Sequence, residues 1–183
     1  MSNNAVRQAI KRLVASGFLK RYDTGIYYIP NPSRLLETSY LDPNKVIVRK
    51  YIKDNSSTYG YIAGASFANQ LGLTTQMPAI QEIVTNKEAT KGRLVTIAGQ
   101  NIRVKHSTLP ITEDNVQILQ FLDTVSVANK YCELKETEMI ERLKQYLRQC
   151  KFTQKQLSDV TPVITGRTAK KLIEWGMIYE FTS

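Results

Sequence analysis

Cysteine is scarce here: Cys132 and Cys150 are the only two in 183 residues. They are too few and too far apart for a metal-binding cluster or a disulfide framework, and a reducing cytoplasm suits them. Histidine is scarcer. The single one, His106, falls in an expected strand between Lys105 and Ser107 with no carboxylate beside it in sequence, so the usual general acid–base pairings are missing. The chain lacks a glycine-rich nucleotide fingerprint, a phosphate-binding P-loop, a histidine–glutamate zinc helix and a serine elbow. No run approaches the roughly 20 apolar residues that cross a bilayer, and residues 1–10 are polar and basic without the apolar core of a signal peptide. These absences lead to the expectation of a cytoplasmic protein that is not an enzyme, holds no metal or cofactor, and has no membrane partner.

What is abundant is positive charge. Lys and Arg number 25 against 16 Asp and Glu, a formal net charge of +9, which attracts polyanions and makes nucleic acid the leading partner class. A hydrophobic fraction of 42% and ten tyrosines belong to a folded chain, since disordered segments are poor in aromatic and β-branched residues. The length suffices for two small domains, or for one domain with an added module. Acidic neighbours such as Glu113 with Asp114, and Glu136 with Glu138, fall at expected helix starts, where they complement the helix dipole.

The densest positive charge lies at the start. Across residues 5–16, Val6, Ile10, Leu13 and Val14 recur at helical spacing, with Ser2 or Asn3 placed to cap the first turn and Gly17 to end the last. If the apolar side chains face a core, Asn4, Arg7, Gln8 and Lys11 occupy the opposite side, with Arg12 at its margin. Arginine pairs bidentately with guanine, Asn and Gln pair with adenine, and Lys or Arg neutralises phosphates. Two β-prone runs at 18–22 and 26–29 follow, joined through Asp23, Thr24 and Gly25 as a hairpin. They add Lys20, Arg21, Tyr22 and Tyr27. Over this stretch Arg7, Lys11, Arg12, Lys20, Arg21 and Arg34 stand against Asp23 alone. The pattern reads as a partial winged helix, with the helix in the major groove and the hairpin, its wing, on the adjacent backbone. Asn4, Arg7 and Gln8 are then expected to contact bases, Lys11 and Arg12 phosphates, and Lys20, Arg21 and Tyr22 the backbone beside the groove.

Beyond a proline-bearing stretch at 30–32, Pro43 and Asn44 open a second helix through Val46, Ile47 and Tyr51. Residues 59–107 read as a short helix at 65–71 and strands at 80–85, 93–98 and 102–105, the last pair turning at Gly99, Gln100 and Asn101. Gly72 and Pro78 are expected to shape the backbone rather than a ligand loop, because the segment lacks the glycine density and lysine of a phosphate site. From Thr112 the period is helical. Val116, Leu119 and Leu122 line one face, and Met139, Ile140, Leu143 and Leu147 line another. Thr153 and Thr165 look like N-caps, Pro162 breaks the chain between them, and Gly176 closes the final helix. Trp175 belongs with the core. Residues 153–160 and 165–175 fit either a second helix-turn-helix exposing Lys155, Arg167, Lys170 and Lys171, or a small bundle with solvated lysines. The expected fold is α+β: a partial winged-helix unit at 1–32, a mixed α/β central domain at 33–125 and an α-helical C-terminal module at 126–183.

The string Ala5-Val6-Arg7-Gln8-Ala9-Ile10-Lys11-Arg12-Leu13, with Gly17-Phe18-Leu19 and Gly25-Ile26-Tyr27-Tyr28, resembles the recognition helix and wing of AbiEi-type antitoxins. Tyr59-Gly60-Tyr61-Ile62-Ala63-Gly64, Leu71-Gly72-Leu73-Thr74-Thr75-Gln76-Met77-Pro78 and Ile83-Val84-Thr85-Asn86 resemble that family's central segment. The resemblance covers residues 5–125 and only loosely the helical tail. It implies a repressor of its own operon that binds inverted repeats in promoter double-stranded DNA and counteracts a neighbouring nucleotidyltransferase toxin, without a stable complex between the two proteins. It also implies about two helices ahead of the recognition helix, so the chain is expected to be shortened at its N-terminus. Two readings from other classes stand beside this one. They are a protein-interaction module whose basic face is incidental, and a nucleic-acid-processing enzyme using scattered carboxylates and a metal.

Overall fold

The computed structural model describes residues 2–30, 41–89, 91–97 and 99–181. Its contacts divide the chain into two compact units, residues 1–46 and 47–183. The expected boundary at 32 lies outside the described residues.

In the first unit, helix α1 (Asn3–Ala15) starts at Ser2, whose side chain accepts from the Ala5 N–H at 3.4 Å. Strands β1 (Lys20–Asp23) and β2 (Ile26–Tyr28) pair antiparallel. Their turn places Gly25 at φ +75°, a left-handed conformation that glycine adopts without a Cβ penalty. Helix α2 (Pro43–Ile47) runs to the unit boundary. The expected helix continues past it as a π-helical turn, Val48–Ile52, ended by the Lys53 N–H on the Val48 carbonyl at 2.9 Å.

The second unit is built on a four-stranded sheet of order β3-β4-β6-β5: β3 (Gly60–Ala63), β4 (Gln81–Thr85), β5 (Arg93–Ile97) and β6 (Gln100–His106). β5 and β6 form the expected hairpin, whereas β4 pairs parallel with β6 and antiparallel with β3. Periodicity does not mark β3, a four-residue strand that begins at Gly60 and stops before Gly64, because it is too short to show alternation. Helix α3 (Gly64–Gln70) follows it directly.

Helices α4 (Val116–Tyr131), α5 (Glu136–Cys150), α6 (Gln154–Val160) and α7 (Gly166–Glu174) complete the unit, with 3-10 turns at Thr161–Val163 and Met177–Glu180. Thr153 caps α6 in a reciprocal capping box with Gln156, and the Thr165 side chain accepts from the Thr168 N–H. One core runs from Tyr61, Ala63 and Val84 on the sheet through Leu119, Phe121 and Leu122 of α4 to Leu143, Leu172, Trp175 and Phe181. It passes position 125 without a break, because the buried face of α4 serves both the sheet and the later helices.

Candidate nucleic-acid interface

All eight residues expected at a DNA interface lie in the first unit. Asn4, Arg7, Gln8, Lys11 and Arg12 are exposed on α1, Lys20 and Arg21 are exposed on β1, and Tyr22 is half-buried. Helical phase gathers Asn4, Arg7, Gln8 and Lys11 within an arc of roughly 100°. No acidic residue stands in the first turn of α1. Among the described residues, Arg7, Lys11, Arg12 and Lys20 have no ion-pair partner. Arg34 lies outside the described residues.

Backbone bonds set the helix against the start of the hairpin. The Ser16 N–H reaches the Arg12 carbonyl, the Gly17 N–H reaches Val14, and the Leu19 N–H returns to Leu13 at 3.0 Å. Gly17 makes this reversal at φ +76°. Lys20 thus follows the last turn of α1 almost at once. Within the hairpin, Lys20 pairs with Tyr28 and Arg21 with Tyr27, so these pairs occupy opposite faces. Tyr22 packs edge-to-face on Tyr28, centroids 6.4 Å apart. The Arg21 guanidinium donates to the Asp23 carbonyl and to Thr24 Oγ1, bracing the turn. Two of the expected wing residues therefore also hold the hairpin's own shape, a role that residue type does not reveal.

The apolar side of α1 is only partly shielded: α1 has no buried residue, and Val6, Leu13 and Val14 are 43%, 38% and 36% exposed. Between residues 2 and 30 the elements beside the helix are the two strands of the hairpin.

The basic residues of the C-terminal helices behave unequally. Lys155, Arg167 and Lys170 are exposed, and Lys170 approaches Glu174 at 3.5 Å. Lys171, expected at the surface, turns inward. Its Nζ donates to the Val125 and Ser126 carbonyls at 2.9 and 3.0 Å and lies 5.3 Å from the Trp175 ring centroid, and burial lowers its pKa, with Arg167 adding to the shift. The amphipathic pattern places Lys171 on the helix margin, where its long stem can turn either way.

His106 is exposed at the end of β6 and its Nδ1 sits 2.6 Å from the Glu88 backbone carbonyl. Among the described residues no three His, Cys, Asp or Glu side chains come together as metal ligands, and no helix is long and apolar enough to cross a membrane. Cys132 and Cys150 are free thiols.

Set beside known families, residues 1–154 match a family model described as a family of unknown function, DUF6088. No curated protein matches the chain.

Proposed function

The chain belongs to the DUF6088 family, and we propose that it is a DNA-binding transcriptional regulator in which α1 and the β1–β2 hairpin form a winged-helix type reading head. One observation carries the proposal: the polar face of α1 holds two amide side chains and three cations in the open, with Arg7, Lys11 and Arg12 free of counter-charge among the described residues. Leaving cations unpaired on one face adds self-repulsion, which a phosphate backbone relieves on binding. Asn4, Arg7 and Gln8 take the base-reading role, Lys11 and Arg12 the phosphates, and Lys20, Arg21 and Tyr22 the backbone beside the groove. The resemblance to AbiEi-type antitoxins extends the proposal to autorepression at inverted repeats, and to antagonism of a nucleotidyltransferase toxin.

Gel retardation with the gene's own promoter and with random duplex tests this reading. Lys11→Ala weakens binding to both DNAs and makes the log–log salt slope shallower by about 1. Arg7→Ala instead lowers the preference for promoter over random DNA by about 1–3 kcal/mol. Equal losses on both duplexes for both variants would contradict the division of labour, and absence of salt-dependent retardation would remove the DNA reading.

The partial exposure of Val6, Leu13 and Val14 favours a second reading, in which α1 offers its apolar side to another protein. Val6→Ser with Leu13→Ser separates the two, abolishing protein capture while leaving retardation of DNA by the basic face intact.

A further inference from the structure

Strands β3, β4 and β6 and helices α4 and α7 contribute side chains to a cavity of about 330 Å3, within the size range of small-molecule sites. Strand register assembles its floor. Tyr61, Val84 and Lys105 form one cross-strand row, and Ala63 pairs with Glu82 in the next, so these side chains share one face of the sheet. Leu119, Leu122 and Asp123 reach the cavity from α4, and Val163 and Ile164 close it from the segment before α7.

The ionisable groups are unequally matched. Lys105 Nζ donates to Glu82 Oε2 at 2.6 Å, so that carboxylate has its cation in contact. Asp123 instead accepts from the neutral Tyr61 hydroxyl, at 2.8 Å on Oδ2, and has no ion-pair partner among the described residues. Burial raises the Asp123 carboxyl above its ordinary range, opposed by the Tyr61 bond and the nearby Lys105 charge and reinforced by the Glu82 charge. Lys91 and His106 also line the cavity, but Lys91 is exposed and His106 is engaged by the Glu88 carbonyl. A buried carboxyl bordering a cavity without a contacting cation lowers its cost either by keeping its proton or by gaining a charged partner.

We propose that this cavity binds a small organic cation, an amine or amidine on an apolar body, with Asp123 as its counter-charge. The apolar walls take the body and the carboxyl takes the N–H donors, an arrangement common to small-molecule sites. The proposal does not depend on the DNA reading, since every lining residue belongs to the second unit.

Ligand-observed NMR and calorimetry on the full chain at neutral pH test it with four probes: benzamidine, benzylamine, benzyl alcohol and benzoate. The two cations bind saturably, the alcohol binds at least roughly tenfold more weakly and benzoate does not bind. Asp123→Asn keeps an acceptor for Tyr61 and the side-chain shape, so it retains the fold by circular dichroism while losing at least roughly tenfold in affinity for the cations. A measurement that needs no variant stands beside it: benzamidine shifts the Asp123 carboxyl and Ala63 methyl resonances of the unmodified protein. Saturation by neither cation up to roughly 10 mM, binding of benzoate or the alcohol as tight as that of the cations, undiminished cation binding to Asp123→Asn, or shifts confined to other residues would each overturn the assignment.

Discussion

At Gly60 the backbone approaches so closely that a Cβ would stand 2.0 Å from the Tyr51 carbonyl and 2.8 Å from that of Val84. Only glycine lets β3 pair with β4 while the π-helical turn lies against it. Asp54 illustrates a local polar device. Its Oδ1 accepts from the backbone N–H and hydroxyl of both Ser56 and Ser57, over 2.9–3.2 Å. The Ser56 backbone bond leads in holding the carboxyl down to about 2, from an ordinary 3.8. A carboxylate depressed by folding contributes stability above its unfolded pKa and loses it as the pH falls through the folded one. The contribution of Asp54 is therefore complete above about pH 4 and fades toward pH 2. Carbon-detected NMR titration should find its midpoint near 2, and Ser56→Ala should move it upward; a midpoint near 3.8 in the unmodified protein would contradict the bonding.

At the scale of elements, what was readable depended on whether the signal was local. α1 is legible because Ser2, the spacing of Val6, Ile10 and Leu13, and Gly17 are near one another in sequence. The caps Thr153 and Thr165 are legible for the same reason. β3 is not, since its place is set by pairing with β4, and Gly60 lies opposite Thr85 far along the chain. The candidate DNA-facing residues of α1 follow from helical phase alone, whereas the bracing of the hairpin turn by Arg21 depends on where its side chain folds back. Capping gives an element-scale prediction. Thr153→Ala removes the side-chain acceptor of the Gln156 N–H and should cost about 1 kcal/mol of unfolding free energy in urea, against about 0.5 kcal/mol or less for Lys155→Ala on the exposed face of the same helix. Equal costs would show that the capping box adds nothing.

Across the whole second unit, the shared core predicts that sheet and tail unfold together. Trp175, the only tryptophan, lies in the same buried cluster as Val84 of β4. Val84→Ala should lower the stability reported by Trp175 fluorescence by roughly 2 kcal/mol and shift the helical circular dichroism transition equally. An unmoved Trp175 transition would divide the core near position 125. That core was half legible. Leu119, Leu122, Met139, Leu143 and Leu147 announce their buried faces by period, but no period says that α4 carries both the sheet and α7.

Sequence by itself determined the secondary elements that close within a few residues, the positive balance of the chain and the cationic face of α1, because propensity, capping and helical phase act locally. Tertiary structure alone decided that β4 runs parallel to β6, that Lys171 turns onto α4, and that Tyr61 meets Asp123 across 62 positions of chain. The physical reason is that burial carries no record of sequence distance. Apolar faces pack wherever the most surface leaves water, and the polar groups carried along must then find partners among whichever neighbours that packing brings.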